Sequence, residues 1–230
     1  ILRPSDARGN ADFGWLKSKH TFSFGSYFDP NHIGFGALRV INEDRIIPGS
    51  GFAEHGHEDM DILTLVLSGQ LRHKDTLGNE TTIVPGELQL MSAGSGIRHS
   101  EVNASNAEPA HFLQIWLIPE SRGGTPTYQK AALPARENAR TWCLLASGTP
   151  GEAPLLLLSD SRVSIAYPLA GMSTRIPASS GRRTFVHVIE GLAGIAGERI
   201  SSGDGLQVGR DDLPDLTWHT DGQVLLFDLA

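Results

Sequence analysis

The chain has 230 residues, room for one large domain or two small ones at roughly 100–200 residues per domain, and enough length to bury a core without crosslinks. Its single cysteine, Cys143, excludes an intramolecular disulfide and a Cys-rich zinc module, and points to a reducing compartment. With 19 Lys and Arg against 26 Asp and Glu, the formal charge of −7 repels a phosphate backbone, and the one adjacent basic pair, Arg182–Arg183, is no nucleic-acid patch.

The first residues, ILRPSDARGNADFGW, lack the basic start and apolar stretch of a secretion signal. No apolar run reaches the roughly 20 residues that cross a bilayer. A soluble cytoplasmic protein without membrane contact is expected. From position 37 short apolar or alternating runs predict strands: ALRVI (37–41), ILTLVL (62–67), TTIV (81–84), ELQLM (87–91) and FLQIWLI (112–118). Leu77-Gly78-Asn79-Glu80 reads as a tight hairpin, and Pro85-Gly86 as the turn into the next strand. The polar stretch 119–140 breaks the pattern and reads as a connection between domains. Strands resume with WCLLA (142–146), LLLL (155–158), VSIAYPL (163–169), TFVHVIEG (184–191) and VLLFDL (224–229). Many short strands joined by turns predict an all-β sandwich or barrel.

The two halves resemble each other. ILTLVLSG (62–69) matches TFVHVIEG (184–191), and PGELQLM (85–91) matches SGDGLQVG (202–209), as expected of one barrel present twice. Aligned on Gly69 and Gly191, Pro177 and Ser179 stand opposite His55 and His57; the second pairing, of PGELQLM with SGDGLQVG, sets Thr217 and His219 opposite His99 and Glu101. A site in the first half is therefore lost from the second. The expected domains are 1–118, a connection 119–140, and 141–230.

His55-Gly56-His57 precedes one predicted strand and His99-Ser100-Glu101 follows another, with about 40 residues between them. Alternate residues of an extended segment point to one side. If these segments are neighbours in a small barrel, three imidazoles and one carboxylate converge inside it. That donor set suits one first-row divalent ion, and leaves positions open for substrate or dioxygen. Asp61 is a candidate to orient a histidine, and Glu58 and Asp59 read as solvated. His73, His111, His187 and His219 read as ordinary surface or core residues, as do His20 and His32. Cys143 reads as a small core residue. The sequence holds no P-loop, and no GxSxG in a strand-to-helix setting.

The stretches HTFSFGSYFDP (20–30), GFGALRVINED (34–44), HGHEDMDILTLVLSG (55–69) and MSAGSGIRHSE (91–101) resemble the pirin family of the cupin superfamily, in its bacterial quercetinase-like branch. The resemblance implies two tandem cupin-type jelly-roll barrels, with a metal site in the N-terminal one only. Carried over position by position, it implies the metal ligands His55, His57, His99 and Glu101. Iron is the first expectation, with manganese, cobalt, nickel, copper or zinc also compatible. Asp61 stands where many cupins have a ligating glutamate; the pirin pattern takes its carboxylate from the His-x-Glu triplet instead. The implied activity is a flavonol dioxygenase, usually called quercetin 2,3-dioxygenase, whose partners are a flavonol and dioxygen. Glu101 would take the 3-hydroxyl proton, and ring opening would release carbon monoxide. Phe22, Phe24, Tyr27 and Phe28 read as strand-packing residues rather than an entrance for a flat polyphenol. Pirins also include metal- or redox-dependent modules that bind a transcription regulator without turnover, so a protein partner is the alternative.

Overall fold

The computed structural model describes residues 1–177, 181–208 and 215–230. Among them strands dominate, and the only helices are single turns at Ser5–Ala7 and Arg136–Asn138. None is long and apolar enough to cross a membrane. Four sheets form two double-sheet barrels of the jelly-roll, cupin-type kind. In the first, a seven-stranded sheet runs in the spatial order Thr127–Ala132, Glu87–Ser92, Asp61–Ser68, Ala110–Leu117, Leu38–Ile46, Leu16–His20, Gly9–Asp12. The companion sheet is Gly51–His57, Ile97–Val102, Leu71–Asp75, Glu80–Ile83.

The second barrel repeats the order of the inner strands. Its large sheet runs Leu2–Arg3, Gly205–Val208, Arg183–Glu190, Gln223–Leu229, Ser161–Ala166, Cys143–Ser147, Leu155–Leu156. Asp61–Ser68 and Arg183–Glu190 are each third in their sheets, and Glu87–Ser92 and Gly205–Val208 each second, so the repeat in sequence is a repeat of position. Gly209, the end of the second motif, lies outside the described residues.

The large sheets pack against each other. Leu63, Leu65, Leu113 and Ile115 of one share a single core with Phe185, Leu225 and Phe227 of the other. Alternate residues on the same strands turn inward, Val66 and Phe112 in the first barrel and Val186 and Leu226 in the second. Burial on both faces explains why ILTLVL is apolar at every position but Thr64 rather than alternating. Cys143 packs against the shared core.

Four segments depart from the sequence reading. Gly9–Asp12 and Leu16–His20 are strands although no apolar run marks them; Leu16–His20 buries Ser18 and His20 beside a single leucine. Thr127–Ala132, inside the connection 119–140, is an edge strand pairing with Glu87–Ser92, half-buried at best and so without apolar alternation. Leu2–Arg3 pairs with Gly205–Leu206 and so joins the sheet of the second barrel, although it precedes the first.

Candidate metal centre

The strand Ile97–Val102 lies between Gly51–His57 and Leu71–Asp75. Residues directly opposite in an antiparallel pair share a face. The register sets His99 opposite His55 and Ile97 opposite His57 on one side, and His99 opposite Asp75 and Glu101 opposite His73 on the other. The two triplets found in the sequence therefore meet because their strands are neighbours. Gly51 permits the close approach: a Cβ there would stand 2.2 Å from the Glu101 carbonyl oxygen and 2.5 Å from the Val102 Cα. A bulge interrupts the same pair between His99 and Glu101. It frees the Ala53 carbonyl to accept the Nδ1 proton of His55 at 2.8 Å, which leaves the His55 Nε2 lone pair facing inward.

The rings of His55, His57 and His99 converge, with centroids 4.5 to 4.9 Å apart. Nε2 of His55 and Nε2 of His99 are 3.1 Å apart. Two imidazole nitrogens each about 2.1 Å from one ion stand about 3.0–3.4 Å apart at right to tetrahedral angles. The spacing fits a shared cation. Burial, followed by the charge of neighbouring histidines, lowers His57 to about 4 and His99 to about 2. Both rings are thus neutral near pH 7, the form that ligates metal.

Glu101 lies behind His99 rather than among all three rings. Donor atoms of His55, His57 and His99 form one cluster within 4.8 Å; those of His73, His99 and Glu101 form a second. The Glu101 carboxylate accepts from Thr64 Oγ1 at 3.3 Å and from Gln114 Nε2. Burial pushes its carboxyl up to about 7, against the pull of those hydrogen bonds. Imidazole and carboxylate are the donor types of a first-row divalent ion, and the three converging rings are the cluster that would hold it. A cavity of about 440 Å³ opens on His57 and is lined also by Gly56, Thr76, Ile97 and Arg98. Trp116 sets its ring edge-on to His57 at 5.0 Å, and Phe24 packs edge-on to Trp116 at 5.3 Å.

Two sequence readings need correction. His73 is no ordinary core residue: it is fully buried, its Nδ1 is 3.4 Å from Nδ1 of His99, and its Nε2 is 2.9 Å from Asp75. The triplet His73-Lys74-Asp75, with the same alternate spacing, was the available signal. Asp61 touches no histidine. It accepts from Ser92 Oγ at 2.6 Å and from the backbone N–H groups of Leu158 and Ser159 at 2.8 and 3.0 Å.

The remaining candidates have other partners. Asp59 accepts from the Gly123 N–H, while Glu58 is exposed. His20 pairs with Asn42, His32 with Asp29 and His111 with Glu43, whereas His187 is buried between the barrels and His219 is exposed. Phe22 is core, packed on Phe185; Tyr27 stacks on His20, and Phe28 is exposed. In the second barrel Ser179 lies outside the described residues, and no cluster of three donors occurs among those described.

Asp44, also buried inside the first barrel, has Oδ1 without a hydrogen-bond partner, and burial pushes its carboxyl up to about 7 from 3.8. The fold therefore retains a proton that the unfolded chain has lost, and the stability this contributes is full below 3.8 and lost as pH rises through about 7. Asp44→Asn removes that loss. In urea melts of the metal-free protein it should gain about 2 kcal/mol more, relative to wild type, at pH 8 than at pH 5. Equal differences at the two pH values would contradict the shift.

Comparison with known proteins accords with this architecture. The Pirin family model matches residues 2–117, and the model for the quercetinase C-terminal cupin domain matches residues 144–229. A protein of Escherichia coli K12 named quercetin 2,3-dioxygenase is 41% identical over 228 residues, covering 99% of this chain and 97% of that one. A pirin-like protein of Caulobacter vibrioides is 40% identical over 229 residues, covering 99% and 98%. The crystal structure of the bacterial pirin YhhW from Escherichia coli in complex with nickel(II) is similar at a TM-score of 0.94 and 41% identity, covering 100% of this chain and 98% of that one. The likeness runs through both barrels and includes every strand that carries a histidine of the site, so the chain belongs to the pirin family.

Proposed function

We propose that this pirin is a metal-dependent dioxygenase that opens the heterocycle of a flavonol such as quercetin and releases carbon monoxide. His55, His57, His99 and Glu101 are the metal ligands in this reading, and Glu101 is also the general base. The observation that carries it is the convergence of three imidazoles, one of which, His57, lines an open cavity, with a buried, protonatable carboxylate behind them. The names of the relatives support the same substrate class. A first-row divalent ion, iron or another, would act as a Lewis acid that holds flavonol and dioxygen together and stabilises enolate-type charge.

The chain's own residues do the rest. The cavity beside His57 opens to solvent and is the side from which a ligand would reach that ring. Glu101 takes the proton of the flavonol 3-hydroxyl on a carboxylate oxygen. Burial has brought its carboxyl to about 7, the range in which a base is effective at neutral pH. Gln114 and Thr64 donate to that carboxylate and fix its orientation.

Protein reconstituted with Fe(II), Mn(II), Co(II), Ni(II), Cu(II) or Zn(II) should consume dioxygen and release carbon monoxide when quercetin is added, with at least one of these ions. Glu101→Gln should lower that rate by about 10²–10⁴-fold, the usual contribution of a positioned base. Metal binding with no flavonol consumed under any ion would sink the dioxygenase reading and leave the non-enzymatic, partner-binding one.

A further inference from the structure

We infer that His73 is a positioning residue: Asp75, His73 and His99 form a directional hydrogen-bond relay that leaves the Nε2 lone pair of His99 free for the metal. The inference rests on the reading of His99 as a ligand and deepens it. Its starting point is Asp75, whose two oxygens receive the backbone N–H of Leu77 at 2.9 Å, that of Asn79 at 3.0 Å, and the Asn79 Nδ2 at 3.0 and 3.1 Å. Surrounded by donors that cannot accept, Asp75 is a carboxylate acceptor, so the His73 Nε2 at 2.9 Å carries a proton and donates it. In neutral His73 the Nδ1 is then a bare acceptor. Among the described residues the group within hydrogen-bond distance of it is Nδ1 of His99 at 3.4 Å, which supplies the proton. A neutral His99 protonated at Nδ1 has its lone pair on Nε2, the nitrogen 3.1 Å from Nε2 of His55.

The relay is buried. His73 and His99 are 0% and 1% exposed, and Tyr128 stacks on the His73 ring at 4.9 Å. Outer partners of this kind fix a ligand's tautomer and raise its basicity, and their removal costs about 10–100-fold in metal affinity. The hairpin turn after Leu71–Asp75 is thereby coupled to the metal: the residues that close the turn also orient the carboxylate at the end of the relay.

The cluster of His73, His99 and Glu101 has a competing use as a second cation site, with the His99 ring bridging two ions. The experiment separates the two. Ring-nitrogen NMR of ¹⁵N-histidine-labelled wild type, metal-free and loaded with Zn(II), should show protons on Nε2 of His73 and Nδ1 of His99, with Nε2 of His99 bound to metal in the loaded form. Co(II) titration should give one ion per chain. His73→Phe should weaken Co(II) binding about 10–100-fold and alter its visible absorption bands, whereas His73→Asn, which offers an amide oxygen near the lost Nδ1, should recover most of both. A proton on Nδ1 of His73, a Phe variant with wild-type Co(II) affinity and spectrum, or two ions per wild-type chain would overturn the relay. Failure of the wild type to bind any metal would instead refute the metal-centre reading, while the metal-free spectrum still decides where the relay protons lie.

Discussion

His99→Ala is expected to abolish divalent-metal binding and, with it, quercetin-dependent release of carbon monoxide. His99 is the central member of the site: its ring is in contact with those of His55, His57 and His73, and it belongs to both donor clusters. His55 and His57 are half-buried on the neighbouring strand, and without His99 they form a two-ligand site open to water. The loss of affinity should exceed the roughly 100-fold ceiling typical of outer-shell changes. The substitution also leaves His73 Nδ1 buried without a partner, at a cost of about 1–3 kcal/mol to the metal-free fold. Chelator competition, gas analysis and a urea melt measure these three effects separately. A His99→Ala protein that still binds one ion tightly and turns over quercetin would falsify the ligand assignment.

The His-Gly-His and His-Ser-Glu triplets were legible because each places two donor-type side chains on one side of a strand, a pattern that depends only on local extended geometry. What the sequence could not show is that Glu101 sits with His73 behind His99, since that depends on the pairing between Ile97–Val102 and Leu71–Asp75. His73 was hidden for a further reason. Its partner Asp75 also receives the N–H groups of the hairpin turn, so turn chemistry at Leu77-Gly78-Asn79 accounts for Asp75 and masks the His73-Lys74-Asp75 spacing. The two barrels were legible from repeated apolar strands that are buried on both faces. The edge strands Gly9–Asp12 and Thr127–Ala132 were not, because an edge buries too little side chain to impose alternation.

Asp61 shows how a conspicuous acidic residue beside two histidines can serve the fold instead of the site. Its position four residues after His57 invites a histidine-orienting role, yet its oxygens serve Ser92 within the first barrel and Leu158 and Ser159 from the second. It is 0% exposed, so no water replaces a lost acceptor. Asp61→Ala deletes three hydrogen bonds and strands the buried N–H of Ser159 and the part-buried one of Leu158, for an expected loss of about 3–5 kcal/mol in urea melts. Asp61→Asn should lose less, because one oxygen remains to accept while the amide NH₂ faces donors it cannot serve. Metal affinity separates the two roles. A residue that joins the barrels leaves Co(II) binding within about 3-fold of wild type in the folded variant, below the roughly 10-fold minimum that removal of a histidine's outer partner costs. A variant with wild-type stability but impaired metal binding would return Asp61 to the histidines. The structure predicts the opposite, because every contact Asp61 makes leads away from the metal centre and toward the junction of the two barrels.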